Sequence, residues 1–197
     1  MPLTIGSKES TFGDPIGLLS DCHRRIERFL QILQKIIDEK VGRSLGGEYR
    51  RSLEAALKYF RDAAPKHTAD EEKDLFPALR SAGRADVEQI LTRIDGLEND
   101  HTRADKWHRE CDEIGKRWLR DDHLCLRDTA RFRTVLLSLA RLYQSHIAIE
   151  EREIFPVAQT IFSDEEKAAI GRSMADRRGI AVVPEEPLAA SAPYAAA

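Results

Sequence analysis

The stretch HTADEEKDLFP, residues 67–77, decides the fold expected of this chain, because it recurs as HIAIEEREIFP at residues 146–156. Each copy places a His and a Glu four residues apart, namely His67 with Glu71 and His146 with Glu150. On a helix, residues at this spacing lie one turn apart on the same face. An imidazole and a carboxylate so placed can bind one or two metal ions. Two copies on neighbouring helices can enclose such a site.

The residues around the two copies predict four long amphipathic helices. Apolar side chains recur at steps of three and four residues from Ile16 to Ile37, which is the pattern of a helix packed in a bundle. The predicted helices run from Asp14-Pro15 to Gly42, from about Glu48 to Gly83, from Ala85 to Asp121, and from Arg127 through Ile154, with a short fifth helix between Ser163 and Gly179. Pro65 is expected to kink the second helix, and Pro77 to bend its last turn. We therefore predict an all-α fold, an up-down-up-down four-helix bundle with a short C-terminal helix.

The 197 residues suffice for one domain with a core of its own. We expect a flexible lead over residues 1–13, the bundle domain over residues 14–180 and a disordered tail over residues 181–197. The tail is rich in Pro and Ala and has little apolar surface to bury.

Charge and composition argue against several classes of protein. A net charge of −3 gives no reason to expect nucleic acid or an anionic membrane surface as a partner. No apolar run approaches the length of a membrane span. Three cysteines without paired spacing argue against a disulfide framework and against a C-x-x-C zinc site. The N-terminus lacks the pattern of a signal peptide, so the expected location is the cytoplasm.

Each predicted long helix carries one His on its apolar face, and the four are His23, His67, His101 and His146. A buried imidazole without a partner costs on the order of a few kcal/mol. Glu71 and Glu150 would face one another as two buried anions, which would raise the pKa values of both carboxyl groups or unfold the site. A metal cation removes this conflict, and we predict that these six residues form a metal site.

The ligand types favour two iron ions. Imidazole with carboxylate suits iron, manganese or zinc, and no thiolate directs the site toward zinc or copper. Six ligands are too many for one tetrahedral zinc ion. Four His and two Glu fit two ions with each Glu bridging both, so we expect a di-iron centre, with manganese or zinc as alternatives.

The order of these residues resembles the hemerythrin-like family, the HHE cation-binding domain. That pattern is a His on the first and third helices, with H-x-x-x-E-E on the second and fourth, and the resemblance spans about Asp14 to Phe162. It implies a non-haem di-iron centre in a four-helix bundle. The implied imidazole ligands are His23, His67, His101 and His146, and the implied bridging carboxylates are Glu71 and Glu150.

Two positions depart from the oxygen-carrying hemerythrins. Those proteins have a second His four residues after the third-helix ligand, where this chain has Asp105. They also use an Asp at a longer spacing in the fourth-helix motif, where this chain has Glu150. Versions with four His resemble the iron-sensing and iron-centre-repair branches of the family. Asp105 can bind a metal weakly, bond to a ligand residue or point to solvent.

Residues beside the expected ligands have alternative roles. Glu72 and Glu151 either orient neighbouring imidazoles as hydrogen-bond acceptors or pair with Arg and Lys on the surface. His108, two turns after His101, is expected to be a core residue and not a ligand. Tyr143, one turn before His146, either lines the site or packs in the core.

Three classes of function fit the sequence. The first is a di-iron protein that senses or binds oxygen, nitric oxide or iron. The second is a di-iron redox enzyme or repair factor that turns over peroxide or nitric oxide, or delivers iron to damaged iron-sulfur clusters. The third is a structural bundle without metal. We see no second domain that would indicate a further activity, which favours the first class, with a small diatomic molecule as the ligand. Enzymatic activity, protein partners and oligomeric state stay open.

Overall fold

The computed structural model describes residues 10–181, except for the side chains of residues 85 and 86. Within this range the secondary structure is helical and contains no strand. The α-helices are α1 (Pro15–Lys40), α2 (Gly46–Asp62), α3 (Ala64–Asp70), α4 (Phe76–Ser81), α5 (Ala85–Asp121), α6 (Leu126–Ile149), α7 (Phe155–Ile161) and α8 (Asp164–Arg177). Two π-helical segments, π1 (Glu71–Leu75) and π2 (Glu150–Ile154), join α3 to α4 and α6 to α7.

These segments form four long bundle helices and one short terminal helix, as the sequence predicts. The first bundle helix is α1 and the third is α5. The second runs from α2 through π1 to α4, and the fourth from α6 through π2 to α7. Helix α1 packs against α2 and α6, and α5 packs against the same two, so helices that follow one another in sequence are neighbours in space. The predicted all-α bundle is confirmed.

The helix ends follow local signals in the sequence. The Asp14 side chain accepts a hydrogen bond from the Gly17 N–H, and Pro15 occupies the first turn of α1. Ser163 and Glu166 form a capping box at the start of α8. The second bundle helix breaks at Ala63, directly before Pro65, which is the kink expected of that proline.

Each π-helical segment ends directly before a Phe-Pro pair. The rings of Pro77 and Pro156 cannot donate a backbone hydrogen bond, and in a regular α-helix they clash with the carbonyl group four residues earlier. A wider turn accommodates the ring, and Phe76 and Phe155 donate to the carbonyl groups of Glu71 and Glu150, five residues back. The sequence indicated a bend at Pro77 but not this wider turn.

The apolar core has two parts, separated along the bundle by a polar layer. One cluster contains Leu33, Trp118 and Phe132, and the other contains Phe76 and Ile94. On the first bundle helix, Leu19 belongs to one cluster and Ile26 to the other, and His23 lies between them. The histidines therefore interrupt the core at one level of the bundle.

Helix α8 covers the end of the bundle that holds the second cluster. The carbonyl oxygen of Phe12 approaches Gly171 so closely that a Cβ there would lie 1.8 Å from it. The Ser10 N–H donates to the Asp21 carboxylate at 2.7 Å. Residues 10–13 of the predicted flexible lead are thus packed against the bundle. Residues 1–9, and residues 182–197 of the predicted disordered tail, lie outside the described part of the chain.

None of the helices described between residues 10 and 181 is both long enough and apolar enough to cross a membrane.

Candidate metal centre

The structure brings all six predicted ligand residues into the polar layer between the two core clusters. Each of the four bundle helices contributes one imidazole, and the carboxylates of Glu71 and Glu150 begin π1 and π2. All six side chains are buried, and His101, the most exposed of them, is 7% accessible. Burial of two carboxylates and four imidazoles in one layer needs a compensating interaction.

The donor atoms converge into two groups that share one residue. In the first group, His23, His67 and Glu71 offer ligand atoms within 4.8 Å of one another. In the second group, the ligand atoms of Glu71, His101, His146 and Glu150 also lie within 4.8 Å of one another. Glu71 is common to both groups because its Oε1 lies 3.3 Å from His67 Nε2 and its Oε2 lies 3.2 Å from His101 Nε2.

Glu150 also links the two groups, because one of its oxygens contacts an imidazole of each. Its Oε2 lies 3.2 Å from His146 Nε2 and 3.0 Å from His23 Nε2. Two ligand atoms about 2.1 Å from one ion and at right angles to each other are about 3.0 Å apart. The spacings around both carboxylates therefore fit atoms that share a bound cation.

The acidic residue that follows each ligand Glu orients an imidazole on a different helix. Glu151 Oε1 lies 2.9 Å from His23 Nδ1, and Glu72 Oε1 lies 2.9 Å from His101 Nδ1. A carboxylate can only accept here, so each Nδ1–H donates and each Nε2 faces the layer. Of the two roles that the sequence left open for Glu72 and Glu151, the structure shows the orientation of imidazoles.

Several buried polar atoms in this layer have no hydrogen-bond partner within residues 10–181. They include both carboxylate oxygens of Glu71 and of Glu150, and the Nε2 atoms of His23, His101 and His146. Buried polar atoms are nearly always paired, and each exception calls for a cause such as an ion. The convergence of these atoms fits a metal site.

The electrostatics of the metal-free layer differ from the sequence expectation. Burial raises the pKa values of Glu71 and Glu150, and the charge of Glu71 raises that of Glu150 further, but the neighbouring imidazoles outweigh these effects, so that both pKa values are lowered and that of Glu71 lies well below its usual range. Burial opposes charge on His101 as well, yet the contact with Glu71 raises its pKa to about 9. The expected mutual rise of the two carboxyl pKa values is wrong, because imidazolium groups can supply the positive charge in place of a metal.

His67 has the opposite response to the same layer. It is fully enclosed, and burial lowers its pKa to about 4 in spite of the Glu71 carboxylate. A neutral imidazole is the form that binds metals.

The remaining candidates do not join the donor groups. Asp105 points to solvent, with a side chain 59% exposed and an oxygen 2.9 Å from the Arg109 guanidinium. His108 packs in the core as predicted: its ring stacks on Phe60, and its Nε2 lies 2.8 Å from the Tyr143 hydroxyl. Tyr143 itself lies edge-on to His146, between the metal layer and His108.

Sequence reasoning missed one buried ionic cluster next to the site. Asp70, which is fully buried, accepts hydrogen bonds from Arg177, the last residue of α8, and from Arg178, which follows it. The shorter of the two bonds from Arg178 is 2.5 Å. Arg177 also donates to Asp74 at 2.8 Å. Comparison of the two copies could have drawn attention to Asp70, because the corresponding residue in the second copy is the apolar Ile149. Helical periodicity, however, does not identify the partner of such a residue.

Comparison with known proteins agrees with this geometry. An uncharacterized protein of Haemophilus influenzae is 29% identical over 177 residues, which cover 87% of this chain and 94% of that protein. Residues 14–158 match the family described as the hemerythrin HHE cation binding domain. The match contains all six residues of the polar layer, and this chain belongs to that family.

Proposed function

We propose that this protein binds two iron ions in the polar layer and uses them to sense or bind oxygen or nitric oxide. The observation that carries the proposal is the pair of donor groups that share Glu71, since one shared carboxylate between two sets of imidazoles suits two ions better than one. Manganese and zinc use the same ligand types and are the alternative metals.

The donor set fits a non-haem iron centre, because imidazole and carboxylate are its only ligand types. Iron held there would supply redox activity and a place for a small diatomic ligand to bind. The chain's own residues hold the ions and keep bulk water out. Glu72 and Glu151 orient two of the imidazoles from outside the layer.

We also propose that the protein works in the cytoplasm. The three cysteines are free, and Cys22 and Cys111 are buried as small apolar side chains. Free thiols are the usual state in a reducing compartment.

Anaerobic reconstitution tests the function directly. The natural chain is loaded with ferrous iron, its iron content is measured by elemental analysis, and optical spectra are recorded before and after addition of oxygen and of nitric oxide. We expect two ions per chain and a spectral change with at least one gas. One ion or none, or spectra that neither gas changes, would contradict the proposal.

A pair of histidine variants controls for nonspecific binding of iron. His101→Ala removes a donor from the second group, whereas His123→Ala removes an exposed imidazole in the loop before α6. The first variant should lose iron and the gas response, and the second should keep both. Equal behaviour would place the iron elsewhere.

A di-iron redox enzyme is the second candidate, favoured by a cavity that reaches the side of His101 and could admit a substrate. The iron-loaded protein at catalytic concentration should then continue to consume peroxide or nitric oxide over many turnovers. A sensor would respond once per centre and stop. The same preparation therefore separates the two candidates.

A further inference from the structure

A cavity of about 220 Å³ lies between the second, third and fourth bundle helices, beside the metal layer. Its apolar walls include Phe60, Ala64 and Ala104, and one side of it is the ring of His101. The cavity is smaller than the ~300 to 1,000 Å³ of sites for drug-sized ligands. Its dimensions suit a molecule of about the size of a substituted benzene.

The cavity exists partly because of the residue at position 105. Asp105 lies at its rim and turns outward to pair with Arg109. The space beside His101 and Ala104 is therefore not filled by a side chain from the next turn of α5. The carboxylate at the rim disfavours an anionic occupant.

The polar end of the cavity is formed by His108 and Tyr143. His108 Nε2 and the Tyr143 hydroxyl lie 2.8 Å apart, and His108 Nδ1 is buried and has no partner in the described part of the chain. Burial lowers the pKa of His108 to about 4, and a phenol keeps its proton at neutral pH, so both groups are neutral near pH 7.

The His108–Tyr143 pair has one more hydrogen-bond donor than acceptors within the pair can satisfy. A neutral imidazole carries one N–H and a phenol carries one O–H, and the bond between them uses one of the two. The other hydrogen is either on Nδ1 of His108 or on the Tyr143 oxygen. In both tautomers one donor is left over, and a buried donor without an acceptor is costly.

We propose that this cavity is a binding site for a small uncharged molecule with an acceptor oxygen, which takes the spare hydrogen of the His108–Tyr143 pair. The apolar walls bind the apolar part of the molecule and disfavour a charge of either sign, and the rim carboxylate further disfavours an anion. The occupant lies against the outer side of His101. The site shares the ring of His101 with the metal layer, but its hydrogen-bonding pair, His108 and Tyr143, belongs to neither donor group, so the proposal does not depend on the iron function.

Two probes of the same shape test the site. Acetophenone has a carbonyl oxygen where α-methylstyrene has a CH₂ group, so the two differ mainly in the acceptor. Binding is measured by ligand-observed NMR titration of the zinc-loaded protein, which is redox-inert, and of the metal-free protein. We expect acetophenone to bind about fivefold tighter, the effect of one net hydrogen bond.

Phenylalanine variants locate the donor. His108→Phe and Tyr143→Phe each leave one hydrogen in the pair, whereas the double variant leaves none. The preference for acetophenone should therefore vanish in the double variant, with affinities within about twofold. Tyr59→Phe is the matched control, because Tyr59 is a half-buried tyrosine that does not line the cavity, and it should keep the full preference.

Three results would overturn the proposal: saturable binding of neither probe, equal binding of both by the natural chain, or a preference that survives in a folded double variant. Should the double variant fail to fold, side-chain NMR of the natural chain decides. Acetophenone must then shift the resonances of the His108 ring or the Tyr143 ring, and shifts confined to other residues reject the site.

Discussion

The two copies of the repeated stretch build almost the same half-site from different surroundings. In both, the His and Glu four residues apart approach through Nε2 and a carboxylate oxygen, at 3.3 Å in the first copy and 3.2 Å in the second. Both continue into a π-helical segment that ends before Phe-Pro. In both copies, the second Glu accepts a hydrogen bond from an imidazole on another helix. The residues that the two copies share therefore supply ligand atoms and hydrogen-bond acceptors to the polar layer.

The copies differ at positions that the repeat does not share. Asp70 of the first copy is held by two arginines at the end of α8, whereas the corresponding Ile149 packs against the apolar cluster at that end of the bundle. Glu71 belongs to both donor groups, whereas Glu150 belongs to one and contacts the other through its Oε2, which lies 3.0 Å from His23 Nε2. The unshared residues thus decide how each half-site is supported.

The largest expected effect comes from the two ligand carboxylates. Glu71→Gln removes an oxygen donor from both groups, so we expect both ions to be lost, with affinity reduced roughly 100-fold or more. Glu150→Gln leaves His23, His67 and Glu71 intact and should retain one ion. Elemental analysis and calorimetric titration with zinc measure both outcomes. Equal metal content in the two variants would show that Glu71 and Glu150 contribute equally to metal binding.

The sequence was sufficient for the fold and for the six residues of the layer, for a physical reason. Spacings of three and four residues fix which side chains share a helix face, and His23 and His101 occupy such positions in helices that carry no motif. Interactions across helices have no such period. The contacts of Glu72 with His101 and of Asp70 with Arg177 depend on the rotation and relative height of two helices, and the wider π turn changes that rotation.

The second prediction concerns stability and not metal. Asp70→Asn removes the charge that Arg177 and Arg178 share, and both guanidinium groups are partly exposed, so the loss should be about 2 to 3 kcal/mol, below that of a fully buried pair. Chemical denaturation of the metal-free protein measures it. Asp62→Asn, at an exposed ion pair with Lys58, should cost far less. A similar cost in both variants would mean that α8 is not held through Asp70.

The third prediction compares the residues that orient the imidazoles. Glu72→Gln and Glu151→Gln keep an acceptor of the same size but remove its charge, so each should weaken metal binding about 10-fold, less than either ligand carboxylate. The Glu72 change should act through His101 and the Glu151 change through His23, which separate imidazole resonances of the zinc-loaded protein can report. Losses as large as that of Glu150→Gln would mean that these residues bind the ion directly.

The smallest expected effect lies at the outer edge of the two copies. Asp74 of the first copy bonds to Arg177 and to Ser173 in a partly buried setting, whereas the corresponding Glu153 pairs with Arg93 at 3.1 Å, with both side chains well exposed. Water and salt screen the exposed pair, so Glu153→Ala should change the free energy of unfolding by less than about 0.5 kcal/mol. Asp74→Ala should cost more, because it leaves the Arg177 guanidinium with fewer acceptors in a setting that water reaches poorly. Denaturation in low and high salt separates the two: the small Glu153 effect should disappear in high salt, and the Asp74 effect should persist. If both effects disappeared, the support of the first copy by α8 would be an ordinary surface interaction, and the two copies would be supported in the same way.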